Sequence, residues 1–239
     1  MKSARVWFGL VLSIALGTSS VASATIVTTA VNTGDGGLQS FYDSQMSSAD
    51  LVNVGQPSLS TTTSSAALFG PYTLDGLHDG SGAAAANVSY WSSSSTVVTF
   101  TLDTSIYTLG YEINSIRNIN GYSSNAKAYA NQTFDILYST VAAPLVFLPL
   151  TTVSYTPFSN TGPSGASMVT LTDTTGILAI GVAAIRLNIP LTLDTGETAV
   201  FREFDLIGGP VVPEPSTAAL LGLGCVGLAI RARRRSSAG

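Results

Sequence analysis

The chain has 239 residues, is 45% hydrophobic and carries a net charge of −4. Residues 25–215 contain all 14 acidic residues and only four basic ones (Arg117, Lys127, Arg186 and Arg202), so this region has a net charge of −10 and does not attract nucleic acid or anionic lipid. A single cysteine excludes an intramolecular disulfide, and a single histidine excludes any site that needs two imidazoles.

The first 24 residues have the three parts of a secretory signal peptide. Lys2 and Arg5 supply positive charge, residues 6–16 are apolar, and Ala22-Ser23-Ala24 is a small-residue cleavage site. The apolar stretch is too short for a membrane anchor. We therefore predict cleavage by signal peptidase after Ala24 and export of the chain that follows.

Residues 25–69 are rich in Ser, Thr, Gly and Asn. We predict short strands at 26–31 and 51–54, a turn at 34–37, and an exposed polar connection at 60–65. The turn is not a phosphate-binding loop, because no Gly-Lys-Ser/Thr follows it.

From residue 70 onward, short apolar runs alternate with Gly, Asn, Ser and Pro. In residues 97–102, for example, Val98, Phe100 and Leu102 fall on one face, as in a half-buried strand. No stretch shows sustained helical periodicity, so we predict an all-β, antiparallel β-sandwich. The further predicted strands are 113–119, 134–138, 145–150, 151–155, 168–171, 184–191 and 202–206.

Several of these stretches resemble the galactose-binding-like, or discoidin-type, jelly roll. Leu77-His78-Asp79-Gly80 with the downstream Trp91 is similar to its early loop, residues 97–102 to its first long strand, residues 113–121 to a later strand and turn, and residues 201–208 to its closing strand. The resemblance spans about residues 74–209. It implies one jelly-roll domain over residues 25–209 that binds carbohydrate without catalysis.

The resemblance also implies a structural calcium ion between the early loop and the closing strand. Carried over to this chain, Asp79 and Glu203 would supply carboxylates, and loop carbonyls within residues 74–82 would complete the oxygen shell that calcium prefers. The alternative is that Asp79 begins an Asx turn while Glu203 pairs with Arg202 or Arg186.

Any sugar site would lie in loops at one end of such a sandwich. The loop 122–129 is the best candidate, because its aromatic rings could stack on a sugar while its amide and ammonium groups contact hydroxyls. The alternative is an ordinary exposed turn. The candidate ligand residues are Tyr122, Asn125, Lys127 and Tyr129.

We predict that the protein is not an enzyme. His78 is the only histidine, and no Gly-x-Ser-x-Gly or His-Glu-x-x-His motif is present. Two alternatives to a binding module remain open: a structural matrix protein with no small-molecule site, and a polysaccharide hydrolase that uses a carboxylate pair.

Residues 210–239 form a three-part tail. Pro213-Glu214-Pro215 is followed by an uncharged, glycine-rich run at 216–230. This run would cover roughly 21 Å as a helix, against about 30 Å for a bilayer core. We predict a single transmembrane helix with its C-terminus in the cytoplasm, rather than a buried core helix, because a cluster of arginines follows it. These are Arg231, Arg233, Arg234 and Arg235.

The tail closely resembles the PEP-CTERM sorting signal of Gram-negative bacteria, whose three parts occur here in order. The resemblance implies that an exosortase processes the protein while the tail holds it in the inner membrane, and that the product is sorted to the cell surface or the extracellular matrix. The implied partners are signal peptidase, an exosortase and an extracellular polysaccharide, and no nucleic acid.

Overall fold

The computed structural model describes residues 26–33, 47, 50–65, 73–80, 95–122, 127–159, 165–190 and 200–212. These residues form short 3-10 helices at Asp75–Leu77 and Lys127–Ala130, together with nine strands. The strands are β1 (Ile26–Thr33), β2 (Leu59–Ser64), β3 (Thr96–Leu102), β4 (Tyr111–Tyr122), β5 (Gln132–Thr140), β6 (Ala143–Tyr155), β7 (Gly165–Asp173), β8 (Ala179–Ile189) and β9 (Phe201–Pro210).

The strands form two antiparallel layers. One layer has the order β1-β7-β4-β9, and the other has the order β2-β3-β8-β5-β6. The prediction of an all-β, antiparallel β-sandwich is therefore confirmed. The predicted signal peptide and transmembrane helix, and the turn at 34–37, lie outside the described residues. Within the described residues, no helix is long and apolar enough to cross a membrane.

The core lies between the two layers, because alternate residues of each strand point inward. In β3, Val98, Phe100 and Leu102 are buried while the residues between them are half-buried. Phe100 stacks on Phe204 of the opposite layer with ring centroids 5.0 Å apart. A second aromatic pair, Phe134 and Phe201, also joins the layers. Such rings bury large apolar areas and dominate the energetics of a core of this kind.

Strand β8 connects the two layers. Its first residues pair with β4, and from Val182 onward it runs between β3 and β5. The change of partner occurs at Gly181, which has a φ of 70° and lies against Gly110, whose φ is 76°. A Cβ on Gly110 would lie 2.7 Å from the carbonyl carbon of Gly181, so this close crossing requires glycine.

Two sequence predictions in the N-terminal third were wrong. Residues 51–54 form a turn instead of a strand, and Leu51 donates a hydrogen bond to the Leu206 carbonyl at 2.8 Å. The polar stretch expected to be a connection is the edge strand β2, paired with β3. An edge strand whose outer face is solvated can be rich in Thr and Ser, because only part of it must pack on the core.

The predicted strands 145–150 and 151–155 merge into one long strand, β6, which bulges strongly. Between the pairs Tyr138↔Leu148 and Thr140↔Ala143, residues 144–147 of β6 lie opposite only Ser139 of β5. Pro144 favours this departure from the ladder because it has no N–H to donate. The bulge folds over the outer face of the sheet and brings Phe147 onto Arg186 of β8.

Candidate functional site

Three buried carboxylates meet at the free edge of β9. Glu203 and Asp205 are two residues apart on that strand, and Asp50 precedes the turn that is hydrogen-bonded to Leu206. One oxygen of each group lies within 4.8 Å of the others. We call Asp50, Glu203 and Asp205 the acidic cluster.

Two loops hold the acidic cluster in place. Asp50 Oδ1 accepts the Val52 N–H at 2.8 Å, which tightens the turn, and the Val52 carbonyl lies 2.6 Å from His78 Nδ1. The next loop caps Glu203, whose Oε1 accepts the Gly80 N–H at 3.0 Å. Hydrogen bonds between side chains and main-chain groups thus hold residues that are far apart in the sequence around strand β9.

Burial makes ionisation of the acidic cluster costly. It raises the pKa of Glu203 to about 10, with a further contribution from the charge of Asp205. The pKa of Asp205 rises to about 7 and that of Asp50 to about 6, again mainly through burial. Among the described residues, no group donates a hydrogen bond to Asp50 Oδ2 or Glu203 Oε2. The Ser47 main chain acts in the opposite direction to burial and lowers the pKa of Asp205.

Within the described residues, the positive charge beside the acidic cluster does not balance its carboxylates. Arg117 Nη1 lies 3.7 Å from Asp205 Oδ2, an ion pair without a hydrogen bond, and its charge lowers the pKa of Asp205. One guanidinium faces three carboxylates, so the ionised cluster keeps a net charge of −2 in a buried site.

The acidic cluster offers the oxygen ligands that a hard divalent cation prefers. Its ligand atoms are oxygens, and no described residue donates a hydrogen bond to the Asn53 side-chain carbonyl in the same turn. His78 is not part of the cluster: its Nδ1 faces the Val52 carbonyl, its ring packs edge-on against Phe100, and its Nε2 is buried without a hydrogen-bond partner among the described residues. The residues therefore fit an oxygen-bound cation such as calcium.

The predicted calcium ligands lie close together but are not the whole site. Glu203 belongs to the acidic cluster, whereas Asp79 is exposed beside it and raises the pKa of Glu203 through its charge. The alternative ion pairs do not form: Arg202 Nε donates to the Gly121 carbonyl, and Arg186 lies in the other layer. Sequence reasoning missed Asp50 and Asp205.

The predicted ligand loop is described only in part. Tyr122 ends β4, Lys127 begins a 3-10 helix, and Asn125 lies outside the described residues. Tyr129 is half-buried, and its carbonyl accepts the Val200 N–H at 3.1 Å. The sugar site predicted there stays a prediction.

A cleft of about 300 Å³ lies on the outer face of the β2-β3-β8 sheet, below the β6 bulge. We call it the Arg186 cleft. The Arg186 guanidinium carbon lies 3.5 Å from the centroid of the Phe147 ring, and Nε donates to Thr99 Oγ1 at 3.3 Å. No carboxylate in the described part of the chain forms an ion pair with Arg186. The cleft is also lined by Thr63, Thr101, Thr104, Pro144, Leu145 and Ala184.

The last described residue is Val212, and the sequence around and beyond it carries a recognisable motif. Residues 211–235 match the PEP-CTERM protein-sorting motif. The PEP-CTERM tail predicted from the sequence is thereby confirmed. This motif marks exported proteins that are sorted to the cell surface. No curated protein matches the chain.

Several solved structures are similar to this chain. The CBM32-1 and CBM32-2 domains of ZmpB from Clostridium perfringens have 11% identity and a TM-score of 0.42, over 76% of this chain and 41% of theirs. The same domains in complex with GalNAc have 12% identity and a TM-score of 0.40, over 74% and 40%. This chain thus spans less than half of those structures.

An F5/8 type C domain from Bacteroides fragilis has 11% identity and a TM-score of 0.32, over 79% of this chain and 98% of that domain. CBM32 and F5/8 type C domains are of the discoidin, galactose-binding-like type, the class that the sequence resembles.

Proposed function

We propose that the protein is an exported, non-catalytic module that binds an extracellular polysaccharide after an exosortase has sorted it to the cell surface or matrix. The PEP-CTERM motif supports the proposed export and sorting to the cell surface. The observation that carries the binding proposal is the Arg186 cleft, an open site with the mixed polar and apolar lining that a sugar needs.

The cleft suits one sugar unit of a longer chain. Thr63, Thr99 and Thr101 are half-buried or exposed on the outer face, where their hydroxyls can bond sugar hydroxyls. Leu145 and Phe147 offer apolar surface to the C–H face of the ring. Stacking on Phe147 fixes the guanidinium plane of Arg186, so its Nη donors are oriented before a ligand arrives.

The geometry favours binding over catalysis. His78, the only histidine, is buried with Nδ1 against a main-chain carbonyl, so it does not face solvent as a general base. The clustered carboxylates are buried behind two loops and are better arranged to hold an ion than to attack a glycosidic bond. We propose that calcium occupies the acidic cluster and stabilises the fold.

Binding can be tested by presenting residues 25–212 to a glycan array and to purified matrix polysaccharides, with and without calcium. GalNAc is one informative probe. We expect Arg186→Gln to weaken binding roughly tenfold or more, because a charged hydrogen-bond donor is lost. Glu112→Gln, away from the cleft, is the matched control.

The same assay separates the competing functions. Loss of binding in Lys127→Gln but not in Arg186→Gln would move the site to the predicted loop. Uniformly flat signals would favour a structural matrix protein, and release of shortened saccharides would show a hydrolase.

A further inference from the structure

An exposed apolar surface surrounds the end of the last described segment, at Val212. Ile106 is 67% exposed and Val212 is 74% exposed, and Tyr107 and Leu109 beside them are also exposed. Together with Thr108, Pro210 and Val211 they line an open depression of about 290 Å³. We call the six apolar residues of this lining the exit patch. Contiguous exposed apolar surface of this kind marks an interaction site more often than scattered single residues do.

The exit patch is held by main-chain hydrogen bonds. Gly110 donates to the Tyr107 carbonyl at 2.8 Å, and Val211 donates to the Gly110 carbonyl at 2.9 Å. The Tyr107 ring packs edge-on against Tyr111, whose hydroxyl donates to the Asp103 carbonyl at 2.9 Å. The apolar side chains therefore have a fixed place relative to the end of β9.

The position of the patch along the chain identifies its partner. Only residues 213–215 separate Val212 from the uncharged run at 216–230. Even a fully extended chain of three residues spans no more than roughly 10 Å. While residues 216–230 lie in the membrane, the exit patch is therefore confined to the immediate neighbourhood of the bilayer surface.

We propose that the exit patch docks onto the outer surface of the lipid bilayer before the tail is cut and so holds Pro213-Glu214-Pro215 at the membrane surface. This inference rests on the proposed sorting function. The patch contains no charged residue, whereas residues 25–215 have a net charge of −10, so this face approaches headgroups at a lower electrostatic cost than the acidic parts of the surface do. A tyrosine beside branched aliphatic side chains is typical of membrane interfaces.

The short link between the exit patch and the run at 216–230 favours lipid over a second protein molecule as the partner of the patch. Binding to the anchoring membrane is effectively intramolecular, so even a small apolar surface is sufficient. A stable protein interface needs about 800 Å² from each partner, which a patch of six residues does not supply.

The test uses the full-length chain with Cys225→Ser and a bimane fluorophore on Thr108→Cys, reconstituted into phosphatidylcholine vesicles that contain a nitroxide-labelled lipid. Flotation with the vesicles reports insertion of the tail, and quenching of bimane reports docking. We expect quenching in this protein and a drop of roughly fivefold when Ile106→Asp and Leu109→Asp are added. The matched control is Val31→Asp, another exposed apolar residue, which lies on β1 outside the exit patch and the Arg186 cleft and should leave quenching unchanged.

The outcomes separate the two proposals. A chain that does not float with vesicles overturns the membrane role of the tail, and the docking with it. A chain that floats without quenching overturns the docking alone, and cross-linking between copies through residue 108 would assign the patch to a second molecule. Urea unfolding of the aspartate variants checks that each is folded.

Discussion

Glu203 is buried, and its Oε1 accepts the Gly80 N–H, whereas its Oε2 has no hydrogen-bond partner among the described residues. A cation that binds the native state alone stabilises it by mass action, by about 2.7 kcal/mol at a hundred times Kd. For a domain of this size that corresponds to a rise in Tm of roughly 5–10 °C. We expect calcium to raise the Tm of the wild-type ectodomain and a chelator to lower it.

The same melting experiment on Glu203→Gln should show no response to calcium or chelator, because one charged ligand is gone. Glu112→Gln, whose side chain bonds Asn114 away from the cluster, should respond as the wild type does. A wild-type melting curve that chelator leaves unmoved would contradict the cation site.

The raised pKa values predict how the cation-free protein depends on pH. In the folded state the pKa of Asp50 is about 6, that of Asp205 about 7 and that of Glu203 about 10, against ordinary values of 3.8 and 4.5. Above the ordinary values, the folded state binds more protons than the unfolded state, so the free energy of unfolding falls as pH rises.

We therefore expect the chelated ectodomain to be less stable at about pH 8 than at about pH 5, and saturating calcium to remove most of that loss because it replaces the protons. Urea unfolding at both pH values, with chelator and with calcium, measures this. A chelated protein that gains stability with pH would show that the carboxylates are solvated.

Of the three residues of the acidic cluster, the sequence allowed one to be predicted. Glu203 was found through the family resemblance. Asp205 shares its strand and face, and the two-residue spacing was a usable signal. No local sequence pattern points to Asp50, because contacts between residues far apart in the sequence, such as the hydrogen bond from the Leu51 N–H to the Leu206 carbonyl, bring it to the closing strand.

The pairing of β4 with β9 depends on a glycine. A Cβ on Gly208 would lie 2.0 Å from the Glu112 carbonyl oxygen, whereas a Cβ on Gly209 would meet nothing within 4 Å. The close approach lies where the β4-β9 register shifts between Ile113 and Ser115. We expect Gly208→Ala to destabilise the protein by about 3 kcal/mol or more, because backbone has to move.

Gly209→Ala is the matched control and should change the free energy of unfolding by less than about 1 kcal/mol. Urea unfolding of both variants measures the difference. Equal stability of the two variants would mean that β4 and β9 do not approach as closely as described.

Strands could be predicted from the sequence where apolar and polar residues alternate and the apolar ones are buried. In β3 and β5, alternating apolar residues face the opposite layer, and the predicted bounds fall within a few residues of the observed ones. The sequence does not predict β2, because its Thr and Ser residues carry no apolar period. The apolar Leu51 and Val52 predict a strand at 51–54, but their burial comes from packing on β9 as a turn.

For the molecule as a whole, the PEP-CTERM motif gives the most direct prediction. In a host with a matching exosortase, we expect protein recovered from the cell surface to lack most of residues 216–239. Glu214→Ala should leave export across the inner membrane intact but hold the protein there uncut, because we expect an exosortase to recognise Pro213-Glu214-Pro215, whose prolines favour an extended segment.

Intact-mass measurement of surface and membrane fractions distinguishes cut protein at the surface from uncut protein in the membrane. Gly209→Ala, which lies before the motif and outside the exit patch, serves as a nearby control that should still be cut. A surface species that retains Arg233-Arg234-Arg235 would show that the tail is a permanent anchor.

The strand order also dictates when an exported chain can fold. β1 pairs along its length with β7, and β9 pairs with β4, so the sheet that contains them needs the first and the last described strands. A chain that crosses a membrane N-terminus first delivers Asp50 early and Glu203 and Asp205 late. Pairings this distant in sequence form slowly. Folding and filling of the acidic cluster therefore finish only when β9 arrives, with the sorting motif directly behind it.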